Sequence, residues 1–168
     1  MIFKFLSKNF YISFSIVTLI YFLDRLSKIY VIQLDKNNLG SDIFNSAYLN
    51  IVLIWNKGIA FGLLSFNESY LYNIISLIIA IIIIVLVIMS FKNQGFKRYS
   101  LLMIVGGALG NLHDRIFFNA VPDFIDFHIG NFHWFIFNVS DIFITIGVFC
   151  LIMVELFNVK QSDIDEKN

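Results

Sequence analysis

Apolar residues gather into four long stretches of this chain, Phe10 to Ile32, Leu71 to Phe91, Leu101 to Phe118 and Trp134 to Phe157, and polar residues crowd into the segments between them. A helix crosses a bilayer with about 20 mostly apolar residues, so each stretch predicts a span or most of one. The second is the purest, since Ile78 to Met89 is wholly apolar. That composition predicts a helix that faces lipid and carries no chemistry. The third and fourth stretches hold glycines, asparagines and aspartates, as helices lining a polar cavity do.

Two of the intervening segments have a different rhythm. Tyr48 to Trp55 reads YLNIVLIW, with alternation and β-branched residues, and Asn56-Lys57-Gly58 follows as a turn signal. Val121 to Phe127 reads VPDFIDF, alternating apolar and acidic positions, and its Pro122, the one proline of the chain, suits an edge or the start of a strand. The two pieces are expected to pair as a small sheet over the helix ends.

Composition agrees with membrane residence. The 168 residues are 58% hydrophobic and 14% charged, with a mean hydropathy of +0.79, well outside the range of a soluble domain. They suffice for four spans in a single domain covering 1–168. The net charge of zero gives no basic face for nucleic acid. Cys150, alone in an apolar helix, reads as a buried and inert thiol. Lys4 and Lys8 precede the first span and Lys92, Lys97 and Arg98 fill the link between the second and third, which predicts cytoplasmic termini. The amino-terminal run continues through Asp24, Arg25 and Lys28 without a small-residue cleavage site, so it reads as a retained span.

The chemistry lies in polar groups that a membrane makes expensive. The third span ends GGALGNLHDR, Gly106 to Arg115. Gly106 and Gly110 have the small-xxx-small spacing that admits a neighbouring helix, and Asn111, Asp114 and Arg115 can share a face. A local ion pair between Asp114 and Arg115 is an equally good account of those two. The fourth stretch begins HWFIFNVSD. With Trp134 at the interface, helical rise puts Asp141 about 10 Å deeper, and Asn138 precedes it by one turn. Asp24 and Lys28 are spaced i, i+4 and can pair. His113, His128 and His133 with Asp126 lack the spacing of a known metal motif, and no GxSxG supports a serine nucleophile. The carboxylates remain. Nothing in the pattern decides between Asp114 and Asp123 as the partner of Asp141.

These residues resemble a known family. DRLSK at Asp24 to Lys28, NKGIAFG at Asn56 to Gly62, GGALGNLHDR, VPDF at Val121 to Phe124 and FNVSD at Phe137 to Asp141 are similar, in order, to the motifs of lipoprotein signal peptidase, or signal peptidase II, a bacterial membrane aspartic protease. The resemblance implies an all-α integral membrane protein of four transmembrane helices with a small extracytoplasmic β-cradle and a short lid helix. It implies Asp123 and Asp141 as the catalytic pair. Asn56, Asn111, Arg115 and Asn138 would line the site, with Asp24, Lys28 and Asp114 as supporting polar residues. Ser140 stands where the family usually has Ala. The implied substrate is a diacylglyceryl-modified prolipoprotein, cut just before its lipidated cysteine by a monomer in the bacterial inner membrane, with the site near the extracytoplasmic face. Membrane lipids are the other expected partners, and no metal or other cofactor is expected. The first, third and fourth helices carry the polar faces, so the lipid part of the substrate is expected beside them.

Two carboxylates in a low-dielectric site share one proton, so one can activate water while the other polarises the scissile carbonyl. A proton-coupled transporter also holds intramembrane acids but predicts internal repeats and polar residues near the midplane. Here the acids lie toward one side. A purely structural subunit leaves Asp141 and the two strand-like segments without a purpose.

Overall fold

In the computed structural model, which describes residues 8–37, 43–58 and 69–165, the chain runs α1 (Lys8–Asn37), β1 (Leu49–Asn56), α2 (Ser69–Lys92), α3 (Gly95–Phe118), β2 (Val121–Ile129), β3 (Phe132–Phe137) and α4 (Val139–Asp165). Among the described residues, three helices are long and apolar enough to cross a membrane: Tyr72–Lys92, Gly95–Phe118 and Val139–Phe157. Helix α1 is not one of the three and carries Asp24, Arg25 and Lys28 along its length. The bundle is apolar on its outside. Ile78, Ile81, Ile84 and Val85 of α2 are all about half exposed, a surface suited to lipid.

Helix α3 packs against all three other helices. Its small residues set how close they come. A Cβ on Gly107 would lie 2.5 Å from the Ser140 carbonyl oxygen, and one on Gly110 would lie 2.3 Å from Ser140 Oγ and 2.5 Å from Asp24 Oδ2. Gly106 faces Ile20 of α1. The small-xxx-small spacing of Gly106 and Gly110 therefore admits α1, and Gly110 admits the start of α4 as well.

The sheet is antiparallel in the order β1-β2-β3. Strand β1 pairs with β2 from Leu49 opposite Phe127 to Asn56 opposite Val121, as the alternation predicts. Pro122 does sit at a strand start: it is the second residue of β2, opposite Trp55 of β1, and β3 joins β2 only from Ile125 onward, so one edge of the strand is free there. Asn119, at φ 52, ends α3 in the left-handed region and turns the chain into β2. Gly130, at φ 58, makes the reversal from β2 to β3.

The fourth stretch needs correction. Trp134 to Phe137 is not the start of a span but part of β3, and the helix begins only at Val139. Asp141 therefore lies in the first turn of α4 and not two turns inside it. An aromatic apolar run has no period that separates a strand from a helix, and the break falls at Asn138, whose role is local hydrogen bonding. The lid helix and the Ile59 to Gly62 part of the second motif fall outside the described residues.

Candidate active site

The turn from β3 into α4 is built by a reciprocal capping box. Asn138 Oδ1 accepts the Asp141 backbone N–H at 3.2 Å, and Asp141 Oδ2 accepts the Asn138 backbone N–H at 3.2 Å. The Asn-x-x-Asp spacing seen twice in the sequence thus has two meanings. At 138–141 it caps a helix; at 111–114 it lies inside α3, where both residues meet Lys28 of α1 and Asn111 also reaches Asp141 of α4.

Once its carbonyl is spent on the cap, Asn138 presents its amide group elsewhere. Nδ2 donates to Asp123 Oδ1 at 2.6 Å. One asparagine thereby joins the two aspartates. The second Asp123 oxygen accepts from Asn56 Nδ2 at 2.9 Å, and Asn56 is oriented by the Gly58 backbone N–H donating to its Oδ1 at 2.8 Å. The second Asp141 oxygen accepts from Asn111 Nδ2 at 2.8 Å. Every direct partner named here is a neutral amide. Asp123, on β2, is 4% exposed, and burial pushes its carboxyl up from 3.8 to about 6, against the pull of the Asn56 amide and with a further push from the Asp141 charge.

Behind this pair is a second group of charges, all buried. Lys28 donates to Asp24 Oδ2 at 2.9 Å, to Asp114 Oδ2 at 2.7 Å and to Asn111 Oδ1 at 2.9 Å. Arg25 holds Asp114 with both ends of its fork, at 2.6 and 2.7 Å, and reaches Asp24 at 3.0 Å. Asp24 Oδ1 also accepts the Ser140 backbone N–H at 3.0 Å, tying α1 to the start of α4. The i, i+4 pairing of Asp24 with Lys28 is present. Asp114 is paired with α1, whereas Arg115 donates to the Gly58 carbonyl at 2.6 Å and lies 5.3 Å over the Tyr72 ring. Nothing local in the sequence marks Arg25 as a site residue, because the carboxylate it grips with both ends of its fork, Asp114, is 89 positions away.

Asp123, Asp141, Asn56, Asn111, Asn138 and Arg115 all line one cavity of about 610 Å³. The rest of its wall is apolar apart from Thr145 of α4 and, with Val121 of β2, comes from α2, α3 and α4, including Ile79, Ile83 and Leu86 of α2. Helix α2 is therefore not inert. It supplies a wall of the cavity, whose apolar side runs along α2, α3 and α4. His113 bonds Tyr21 on the far side of α3, and Asp126 with His128 and His133 forms a separate cluster with Asn50 on the sheet.

The family model for signal peptidase (SPase) II matches residues 16–157. The chain belongs to the signal peptidase II family. Its relatives include a lipoprotein signal peptidase of Pelagibacter ubique (strain HTCC1062), 52% identical and covering 96% of each chain. Another, from Anaplasma phagocytophilum (strain HZ), is 44% identical over 80% of this chain and 85% of that one. Two structures of bacterial membrane enzymes solved by the in meso method, at 2.3 and 1.9 Å resolution, superpose with TM-scores of 0.72 and 0.70 at 30% and 32% identity. They cover 89% and 86% of this chain, and 90% and 92% of their own. The peptidase thus lines one cavity edge with residues of four of the motifs, Asn56 standing for the second, and sets the first, Asp24 to Lys28, behind them.

Proposed function

We propose that this membrane peptidase removes the signal peptide from diacylglyceryl-modified prolipoproteins, cutting just before the lipidated cysteine, with Asp123 and Asp141 as its catalytic pair. Membership of the signal peptidase II family carries the reaction. The observation that supports the pair is that Asn138 bridges the two carboxylates at the polar edge of a cavity whose remaining wall is apolar. One carboxylate takes a proton from water as its oxygen attacks the scissile carbonyl. The other, protonated, donates to the carbonyl oxygen. The tetrahedral intermediate collapses when a proton passes to the leaving nitrogen.

The apolar wall suits acyl chains or the apolar part of the signal peptide, while Arg115 and the asparagines orient the peptide near the pair. Helix α1 is read as the fourth span. Its charges are buried against α3 and α4, and Phe14, Leu19, Phe22 and Leu26 face outward. With cations at the link between α2 and α3, the termini lie in the cytoplasm and the sheet on the outer side of the inner membrane. The enzyme is read as one monomeric unit. Purified protein in detergent should cleave a diacylglyceryl-modified precursor at least tenfold faster than its unlipidated form, because the lipid anchors the peptide in place. Equal rates would refute lipid-directed positioning.

A further inference from the structure

The buried charges behind the pair do more than neutralise one another. Asp24 and Asp114 against Arg25 and Lys28 make a balanced set. Neutralisation needs only two of the ammonium's three hydrogens. The third goes to Asn111 Oδ1.

That third bond fixes which way an amide faces. An ammonium can only donate, so the Asn111 carbonyl must face Lys28, and its Nδ2 must face Asp141 Oδ1. A terminal amide rotates at little cost when nothing holds it. Turned around, Asn111 would aim an oxygen at an oxygen, and Asp141 could meet it only by carrying a proton. The amides around Asp123 are fixed differently, by neutral backbone N–H groups at Gly58 and Asp141.

We propose that Lys28 is a positioning residue that, acting through Asn111, holds Asp141 as the proton acceptor of the pair. Asp141 accepts the water proton while the carbonyl oxygen takes the proton of Asp123. The Asp141 proton then passes to the leaving nitrogen, and as the C–N bond breaks the hydroxyl that holds the Asp123 proton returns it to Asp123, giving a carboxylic acid and an amine; one water then enters for the next turnover. The charged groups facing Asp141 are Lys28 and Asp24 from α1 and Asp123 from β2, and Arg115 of α3 lines the same cavity. The inference rests on the assignment of Asp123 and Asp141 made above.

The test uses the full chain in detergent with a lipidated precursor. Lys28→Met combined with Asp114→Asn keeps the buried set balanced, so melting should stay near that of the parent enzyme. Its kcat should fall about ten- to a hundredfold, as displaced catalytic groups do, with KM within twofold. If Lys28 acts through Asn111, adding the pair of changes to Asn111→Ala should cost no further kcat. The acid limb of the pH profile should move in the combined variant while the alkaline limb stays. A kcat within threefold of the parent would reduce Lys28 to a folding role. An additive loss on the Asn111→Ala background would show that it acts by another route. Movement of the alkaline limb instead would make Asp123 the acceptor. Should the double variant fail to fold, Lys28→Arg retains the charge but delivers it from a planar fork. A folded Lys28→Arg enzyme with unchanged kcat would overturn the proposal. Separately, cleavage by Asp141→Asn would defeat the underlying assignment, whereas an inert Asp141→Asn beside an unaffected Lys28 variant would defeat the positioning role alone.

Discussion

Two groups of aspartates sit one layer apart in this molecule and are treated in opposite ways. Asp24 and Asp114 are clamped by a lysine and an arginine. Asp123 and Asp141 are held by asparagine amides and a backbone N–H, and they face a cavity. A carboxylate gripped by two cations has little reason to exchange a proton. One held by neutral amides can be fixed in place and still titrate. The contrast separates a structural role from a catalytic one where residue type cannot, and it favours Asp123 over Asp114 as the partner of Asp141.

The largest effect should come from Asp141→Asn, which keeps the shape of the cap but removes an acid or base. General acid–base groups contribute roughly 10² to 10⁴ in rate. Turnover should therefore drop about a thousandfold or more in single-turnover cleavage assays, with substrate still bound. Asp114→Asn should act on stability instead. Removing one partner of a buried ion set costs about 3 to 5 kcal/mol, read as a lower melting temperature in detergent with cleavage still measurable.

Asp123→Asn should move stability the other way. The folded carboxyl titrates near 6 against 3.8 for an ordinary Asp. Between those values the folded state binds more protons than the unfolded one, so stability falls as pH rises through the window. Above pH 6 the full cost, on the order of 3 kcal/mol, is present, and the neutral amide relieves it. The variant should melt higher than the parent at pH 7.5 and no higher at pH 4. In the parent, kcat/KM should decline as pH rises through about 6 and Asp123 loses its proton. The smallest effect expected is that of Gly110→Ala, whose Cβ would meet Ser140 Oγ and Asp24 Oδ2. Overpacking of this kind costs about 1 to 3 kcal/mol, and it should loosen the junction of α1, α3 and α4.

Much of this arrangement was legible in the chain itself. Helix α2 spans Ser69–Lys92 where apolar content predicted Leu71 to Phe91. Helix α3 starts at Gly95, earlier than Leu101, because its first turns carry Lys97 and Arg98, which hydropathy discounts. The strands β1 and β2 followed from alternation. Strand β3 was hidden because FHWFIF is apolar but for His133 and runs into α4, although Gly130-Asn131 ahead of it is a hairpin signal. Asn138 was visible as a residue but not as a cap, since capping is recognised only once the helix start is placed. The division of the four aspartates was out of reach. It depends on contacts such as Arg25 with Asp114 and Lys28 with Asn111, which join positions more than 80 apart.

The most direct measurement compares Asp123→Asn with Asp114→Asn, each purified, matched for folded protein by melting, and given the same diacylglyceryl-modified prolipoprotein. The predicted result is a well-folded but inert Asp123→Asn and a less stable Asp114→Asn that still cleaves. A cleaving Asp123→Asn beside a well-folded, inert Asp114→Asn would contradict the division and make Asp114 the partner of Asp141.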